Sequence, residues 1–337
     1  MFEAQIERLR ACPPRVVMPE GEDPRIAGTA VRLAREGVMR PTLVGEADAV
    51  REAVTRAGGR EEDVEVVDPA ALPDAEGLAR EMVRMRLGRA TPEECRELVR
   101  RPNYLATMLL ATRRADLLVG GAVYTTFDIA LPALQLVRAA PGRHLVSSCY
   151  LFTKGEGEPL YVMGDPAINI SYEDQRDMWG DVVVSAPAQL AEVAVSFAEV
   201  LDALGVEPRI AMLSYSTKGS GRGPEVDLVR QATEAARAMA PDLAIDGELQ
   251  FDAAFSPAVA ARKAPSSPVA GRANAFVFPE INSANTACKI IEHLAGYRLF
   301  GPILLGLAAP VSDLSRGCTA EEAYLTAVVA ASLALAR

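Results

Sequence analysis

The chain has 337 residues, half of them hydrophobic and 24% charged, a balance that excludes a disordered protein and suits two folded domains of ordinary size. Its 45 acidic and 35 basic side chains leave a formal net charge of −10. That sign argues against nucleic acid and anionic membranes as partners, since both need a basic face to displace counterions, whereas a small anion needs only a local group of arginines.

In chain order, Met1–Arg10 is charged and amphipathic without an apolar core or cleavage site, so no signal peptide is expected and the cytoplasm is the expected location. Arg15–Glu22 predicts a short buried strand ending in a polar turn, and Asp23-Pro24 opens a helix that runs through Gly37. A strand at Thr42–Glu46, a helix to Gly58 and a strand at Val64–Val67 follow. This β-α-β-α-β alternation predicts an α/β fold with mainly parallel sheets flanked by helices. Helices are then expected over Asp74–Gly88, from Thr91-Pro92 onward and over Asn103–Arg113. Ala115–Ala122 predicts a strand ending in a glycine turn, with Thr125 and Thr126 at its C-terminal end, where open α/β sheets bind ligands.

His144–Phe152 and Pro159–Asp165 read as neighbouring strands, the first crossing into a second domain. Helix and strand then alternate: Ala191–Leu204, Arg209–Ser214, Glu225–Met239 and Leu243–Asp246. The segment from Gly164 to Ala186, which holds the sole tryptophan, Trp179, allows three readings: a lid, an oligomer contact or a variable surface loop. No apolar run reaches the length of a membrane span.

The five cysteines are widely spaced and include no Cys-x-x-Cys, and His144 and His293 fit no ligand pattern. Neither a metal site nor a disulfide framework is expected.

Two stretches carry candidate chemistry. The loop Ser214–Pro224 contains Tyr215, Ser216, Thr217, Lys218 and Gly219 between a strand and a helix, a setting that suits either a phosphate cradle or a plain flexible turn. It lacks the Gly-Lys-Ser/Thr of a nucleotide-triphosphate loop. The second stretch, Gly301–Pro310 followed by Asp313–Glu322, brings a hydroxyl, a guanidinium, a thiol and carboxylates to the start of a helix. Thr319 and Glu322 are spaced as a capping box, which by itself accounts for Glu322, and Ser315 and Arg316 lie just ahead of the helix N-terminus.

Asp313-Leu314-Ser315-Arg316-Gly317-Cys318 resembles the C-terminal signature of the phosphate acetyltransferases, also called phosphotransacetylases. Ala211–Ser220, Asp246–Ala254 and Lys263–Gly271 resemble the same family in the same order, so that the likeness spans nearly the whole chain. The resemblance implies reversible acyl transfer between acetyl phosphate and the thiol of coenzyme A, with inorganic phosphate as the other product and no tightly bound cofactor. It also implies a homodimer, and two domains with a cleft between them, formed by residues 1–147 with 300–337 and by residues 148–299.

By the same resemblance Ser315 orients the reacting group, Arg316 stabilises transition-state charge and Glu322 is the base for the thiol. Arg84, Thr125, Thr126 and the 215–219 loop would bind substrate; Arg84 also reads as one more solvated helix residue. Cys318 invites a covalent route, but no paired base accompanies it in sequence, and direct attack by coenzyme A in a ternary complex is expected instead. Two positions depart from the family: Glu322 replaces the usual Asp, and Leu131 stands before Pro132 where an Arg is usual. Either another cation replaces that guanidinium, or the pocket is more apolar and takes a longer acyl group such as propionyl or butyryl. A binding protein for coenzyme A or acyl phosphate with reduced catalysis is the remaining alternative.

Overall fold

A computed structural model describes residues 2–335. In chain order its elements are α1 (Glu3–Ala11), β1 (Arg15–Met18), α2 (Pro24–Arg35), β2 (Arg40–Val44), α3 (Ala47–Arg56), β3 (Glu65–Val67), α4 (Ala75–Met85), α5 (Pro92–Leu98), α6 (Pro102–Ala111), β4 (Leu117–Gly120) and α7 (Thr126–Pro132). There follow β5 (Ser147–Thr153), β6 (Tyr161–Gly164), the short strands β7 (Gln175–Arg176) and β8 (Val182–Val184), α8 (Ala186–Ala203), β9 (Arg209–Leu213), α9 (Pro224–Met239) and β10 (Ala244–Leu249). The chain continues through α10 (Phe251–Phe255), α11 (Pro257–Lys263), β11 (Ala275–Val277), α12 (Ile281–Ala295), β12 (Arg298–Leu305), β13 (Val311–Asp313) and α13 (Ala320–Leu335). It divides into two compact units, one of residues 142–299 and one of residues 2–141 with the chain from Phe300 onward.

In the discontinuous unit the strands lie in the order β12-β13-β4-β1-β2-β3, and every pair but β12 with β13 is parallel. Val16, Val17, Met18, Leu117, Leu118 and Val119 are buried, as the apolar runs of strands covered on both faces must be. Asp23 accepts the Arg25 N–H and Pro24 occupies the first turn, which starts α2 where the sequence places it. Because β1, β4 and β13 are parallel, with Asp313 opposite Gly120, the turns that follow these strands gather at one edge of the sheet. Helix α13 packs on α2; Thr29 donates to the Ala320 carbonyl, and the Arg32 guanidinium lies 3.7 Å over the Tyr324 ring.

In the 142–299 unit the order is β10-β9-β11-β6-β5, again parallel except for the last pair. Its core gathers Tyr150, Phe152, Met163, Leu213, Phe276 and Cys288. The loop 214–223 leaves the C-terminal end of β9 and enters α9 at Pro224.

Sequence reasoning left several elements unassigned. Helix α7 begins on the residues read as a post-strand loop; Thr125 and Asp128 form its capping box, and a π turn at Ala133–Val137 extends it beyond Pro132. Helices α10 to α12 and strand β11 are further additions. Helix α4 ends at Met85 rather than near Gly88, because Leu87 and Gly88 both adopt positive φ.

Candidate active site

The strand-end turns of the discontinuous unit are locked together by two charged residues that follow β1. Glu20 is 6% exposed, and its carboxylate accepts the backbone N–H groups of Gly121 and Ala122 at 3.0 Å and of Val123 and Tyr124 at 2.7 Å. Gly121 has φ +105°, and a Cβ there would meet Asp313 Oδ1 at 2.2 Å and Leu314 N at 2.5 Å, so this close approach requires glycine. Arg25 is held by Asp23 and donates to the Ala122 and Arg316 carbonyls at 2.7 Å and to the Cys318 carbonyl at 3.2 Å. One guanidinium therefore joins the turn that leads to Thr125 and Thr126 to the turn that carries Ser315 and Arg316.

Within this unit Ser315 is half-buried and its Oγ accepts the Gly317 N–H at 3.3 Å. Arg316 is exposed, with its guanidinium acting on the Asp313 carboxyl. Thr125 caps α7 and donates to Asp128 at 2.6 Å, while Thr126, the first residue of that helix, is half-buried. Glu322 makes the capping box: its Oε2 accepts the Thr319 N–H at 2.8 Å and hydroxyl at 3.1 Å. Arg84 is exposed and paired with Glu81 on its own helix. Arg86, not Arg84, contacts the segment beyond Leu131, through Gln135, which also accepts the Tyr104 hydroxyl at 2.9 Å.

In the other unit the 215–219 loop is a bonded turn rather than a flexible one. Ser216 donates to Glu248 Oε1 at 2.9 Å, and that oxygen also accepts the Gly219 N–H at 2.7 Å. The Thr217 oxygen accepts the Gln250 N–H at 2.9 Å. Lys218, at φ +49°, sends its ammonium to Asp246 at 2.5 Å and to the Gly247 carbonyl at 2.7 Å. Tyr215 is exposed and donates to the Arg222 carbonyl at 2.8 Å. Spacing could not show this, because Asp246 and Glu248 reach the loop only through the parallel pairing of β10 with β9.

Glu20, Arg25 and Asp313 went unread as site residues. The signal available was their place just beyond buried parallel strands. Burial raises the Asp313 carboxyl to about 7; Thr126 and Arg316 oppose the rise, while Glu20 and Asp128 add to it. Burial likewise pushes the Cys318 thiol up to about 11, although Arg25 pulls it down. A thiol so far from ionising is a poor nucleophile at neutral pH. Cys318→Ala is therefore expected to keep at least half of parental turnover; an acyl group trapped on Cys318 in a single turnover would overturn that expectation. Among the described residues no group of three His, Cys, Asp or Glu side chains is placed to hold a metal, and no helix is long and apolar enough to cross a membrane.

Hydroxyls and a guanidinium thus gather on interlocked turns at the ends of parallel strands, the edge where open α/β sheets commonly take their ligands. Residues 1–331 match the family described as phosphate acetyl/butaryl transferase. The phosphate acetyltransferase of Bacillus subtilis is 38% identical over 335 residues, 99% of each chain. Among solved structures, a phosphotransacetylase from Streptococcus pyogenes superposes with a TM-score of 0.90 at 41% identity, covering 99% of this chain and 98% of its own. The EutD phosphotransacetylase from Staphylococcus aureus gives 0.84 at 36% identity, with the same coverage. The chain belongs to the phosphate acetyl/butaryl transferase family and is an acyltransferase.

Proposed function

We propose that the chain, acting as a phosphate acetyltransferase, moves the acetyl group of acetyl phosphate to coenzyme A and back by direct thiol attack in a ternary complex. The observation that carries this reading is the Arg25 bridge, which holds the Ser315–Arg316 turn beside the turn that leads to Thr126 before any ligand arrives. The coenzyme A sulfur attacks the acetyl carbon, the bond to the phosphate oxygen breaks with its electron pair leaving on phosphate, and the thiol proton passes to Glu322. A base is needed because a thiol with a pKa near 8.5 is mostly protonated at neutral pH. Arg316 faces the charge that develops on the carbonyl and phosphoryl oxygens, Ser315 orients the reacting group, and Thr125 and Thr126 take the phosphoryl end. Arg84 and the 215–219 loop serve coenzyme A, the loop through its backbone and Tyr215, since Lys218 is committed to Asp246. Both substrates come and go, and the protein works in the cytoplasm.

A longer acyl group is the second reading, favoured by Leu131 and by Phe127, which is 67% exposed beside Thr126. Thiol consumption with acetyl, propionyl and butyryl phosphate decides between them. Acetyl phosphate is expected to give the highest kcat/KM; a preference for butyryl phosphate would transfer the assignment to the longer substrate, and no consumption with any of them would leave a binding protein.

A homodimer completes the proposal. Met178, Trp179, Val182 and Val183, all on or within the β7–β8 hairpin, are exposed, and so is Ile170 shortly before it, so that this segment offers large apolar side chains to a partner. Sedimentation of the parent as a dimer and of Trp179→Ser as a monomer is the expected result. A monomeric parent at micromolar concentration would refute it.

A further inference from the structure

We propose that Thr319 is a positioning residue for the thiol's base: its backbone N–H and its hydroxyl hold one oxygen of the Glu322 carboxylate and leave the other to take the proton. The proposal rests on the reading of Glu322 as that base. Glu322 Oε2 accepts the Thr319 N–H at 2.8 Å and the Thr319 hydroxyl at 3.1 Å, while the Thr319 hydroxyl oxygen accepts the Glu322 N–H at 3.2 Å. Oε1 has no hydrogen-bond partner among the described residues. The backbone on either side of Thr319 is fixed in turn, since the Cys318 carbonyl accepts Arg25 at 3.2 Å and the Ala320 carbonyl accepts the Thr29 hydroxyl at 3.1 Å. Both donors stand on α2, and Arg32 of the same helix bonds Glu321.

A capping box asks only that the third helical residue reach back to the cap. Here the reach has a second consequence. A glutamate side chain left to itself rotates about several bonds and offers its oxygens in many places, whereas proton transfer needs the acceptor within hydrogen-bond reach of the sulfur's hydrogen. With Oε2 tied to two donors the carboxylate keeps one orientation, and the rotamer freedom is lost before the thiol arrives. The bonds also reinforce one another: the Arg25 guanidinium draws on the Cys318 carbonyl, which strengthens the N–H of that same peptide as a donor to Glu322. As sulfur bonds the acetyl carbon its S–H bond breaks, the proton goes to Oε1, and Oε2 keeps both of its bonds. In the reverse direction Oε1 returns the proton to the departing sulfur.

The test couples Thr319 to the base in thiol-consumption kinetics with acetyl phosphate and coenzyme A. Thr319→Gly removes the hydroxyl, yet glycine starts a helix nearly as well as threonine does. It is expected to lower kcat about tenfold, to leave both Michaelis constants within about twofold, and to keep the melting temperature close to the parental value. Thr319→Ser, which returns the donor, should recover most of the loss. Glu322→Gln removes the base and should lower kcat by about two orders of magnitude. In that background Thr319→Gly should cost nothing further, because a residue that acts through the base has no effect once the base is gone. The solvent deuterium isotope effect on kcat should grow in Thr319→Gly, since an acceptor held less well slows the proton transfer. Parental kcat in Thr319→Gly, or the same fold loss in both backgrounds, overturns the proposal and leaves Thr319 a helix cap. Parental kcat in Glu322→Gln is a different failure, which removes Glu322 as the base and with it the reading beneath the proposal.

Discussion

Arg316→Ala is expected to lower kcat by about two to three orders of magnitude, the loss that follows removal of a donor aimed at developing charge. The side chain can be removed without releasing its turn, since Arg25 grips the turn through the carbonyls of residues 316 and 318 and Cys318 N bonds the Ser315 carbonyl. A change in turnover with little change in thermal stability is therefore the expected signature. Arg316→Lys should recover only part of the loss, because an ammonium cannot reproduce the planar fork of a guanidinium. Near-parental turnover in a folded Arg316→Ala protein would take this residue out of the mechanism.

The largest expected effect on stability belongs to Glu20→Gln. The native carboxylate accepts four backbone N–H groups, two on each oxygen. A glutamine offers one carbonyl oxygen for two of them and turns its own N–H groups toward the other two. Leaving two of these donors unsatisfied costs about 3 kcal/mol. Urea unfolding should show the shift, and turnover should fall with it, because the 121–124 turn leads directly into Thr125 and Thr126. An unchanged urea midpoint would mean that the carboxylate does not hold this turn.

The alternating framework of the discontinuous unit was legible because each element there carries its own local signal: Asp23-Pro24 before α2, the Thr91–Glu94 box before α5, the Thr319–Glu322 box before α13. Helix α7 was missed because its start, Thr125-Thr126-Phe127-Asp128, follows a glycine turn and contains no apolar repeat of helical length. The motif at 313–318 is legible in sequence, but only long-range pairing shows what holds its loop. Arg25 lies 291 residues from Arg316 in sequence, and Glu20 lies 101 residues from Gly121. The 215–219 loop illustrates the same limit in reverse. Its residues read as either a phosphate cradle or a plain flexible turn, and what spacing does not show is that Ser216 and Lys218 are bonded to Glu248 and Asp246 of β10.

The Glu20 cradle also bears on how this turn moves. Loop amides ordinarily exchange their hydrogens with solvent quickly, because local opening there costs little. Those of residues 121–124 are tied to a single buried carboxylate and can open only together, so their exchange should resemble that of the β4 strand rather than that of a loop. A turn so restrained has little conformational entropy left to lose when a ligand arrives, and affinity for the small acyl phosphate is then determined by the contacts made rather than by the ordering of the backbone.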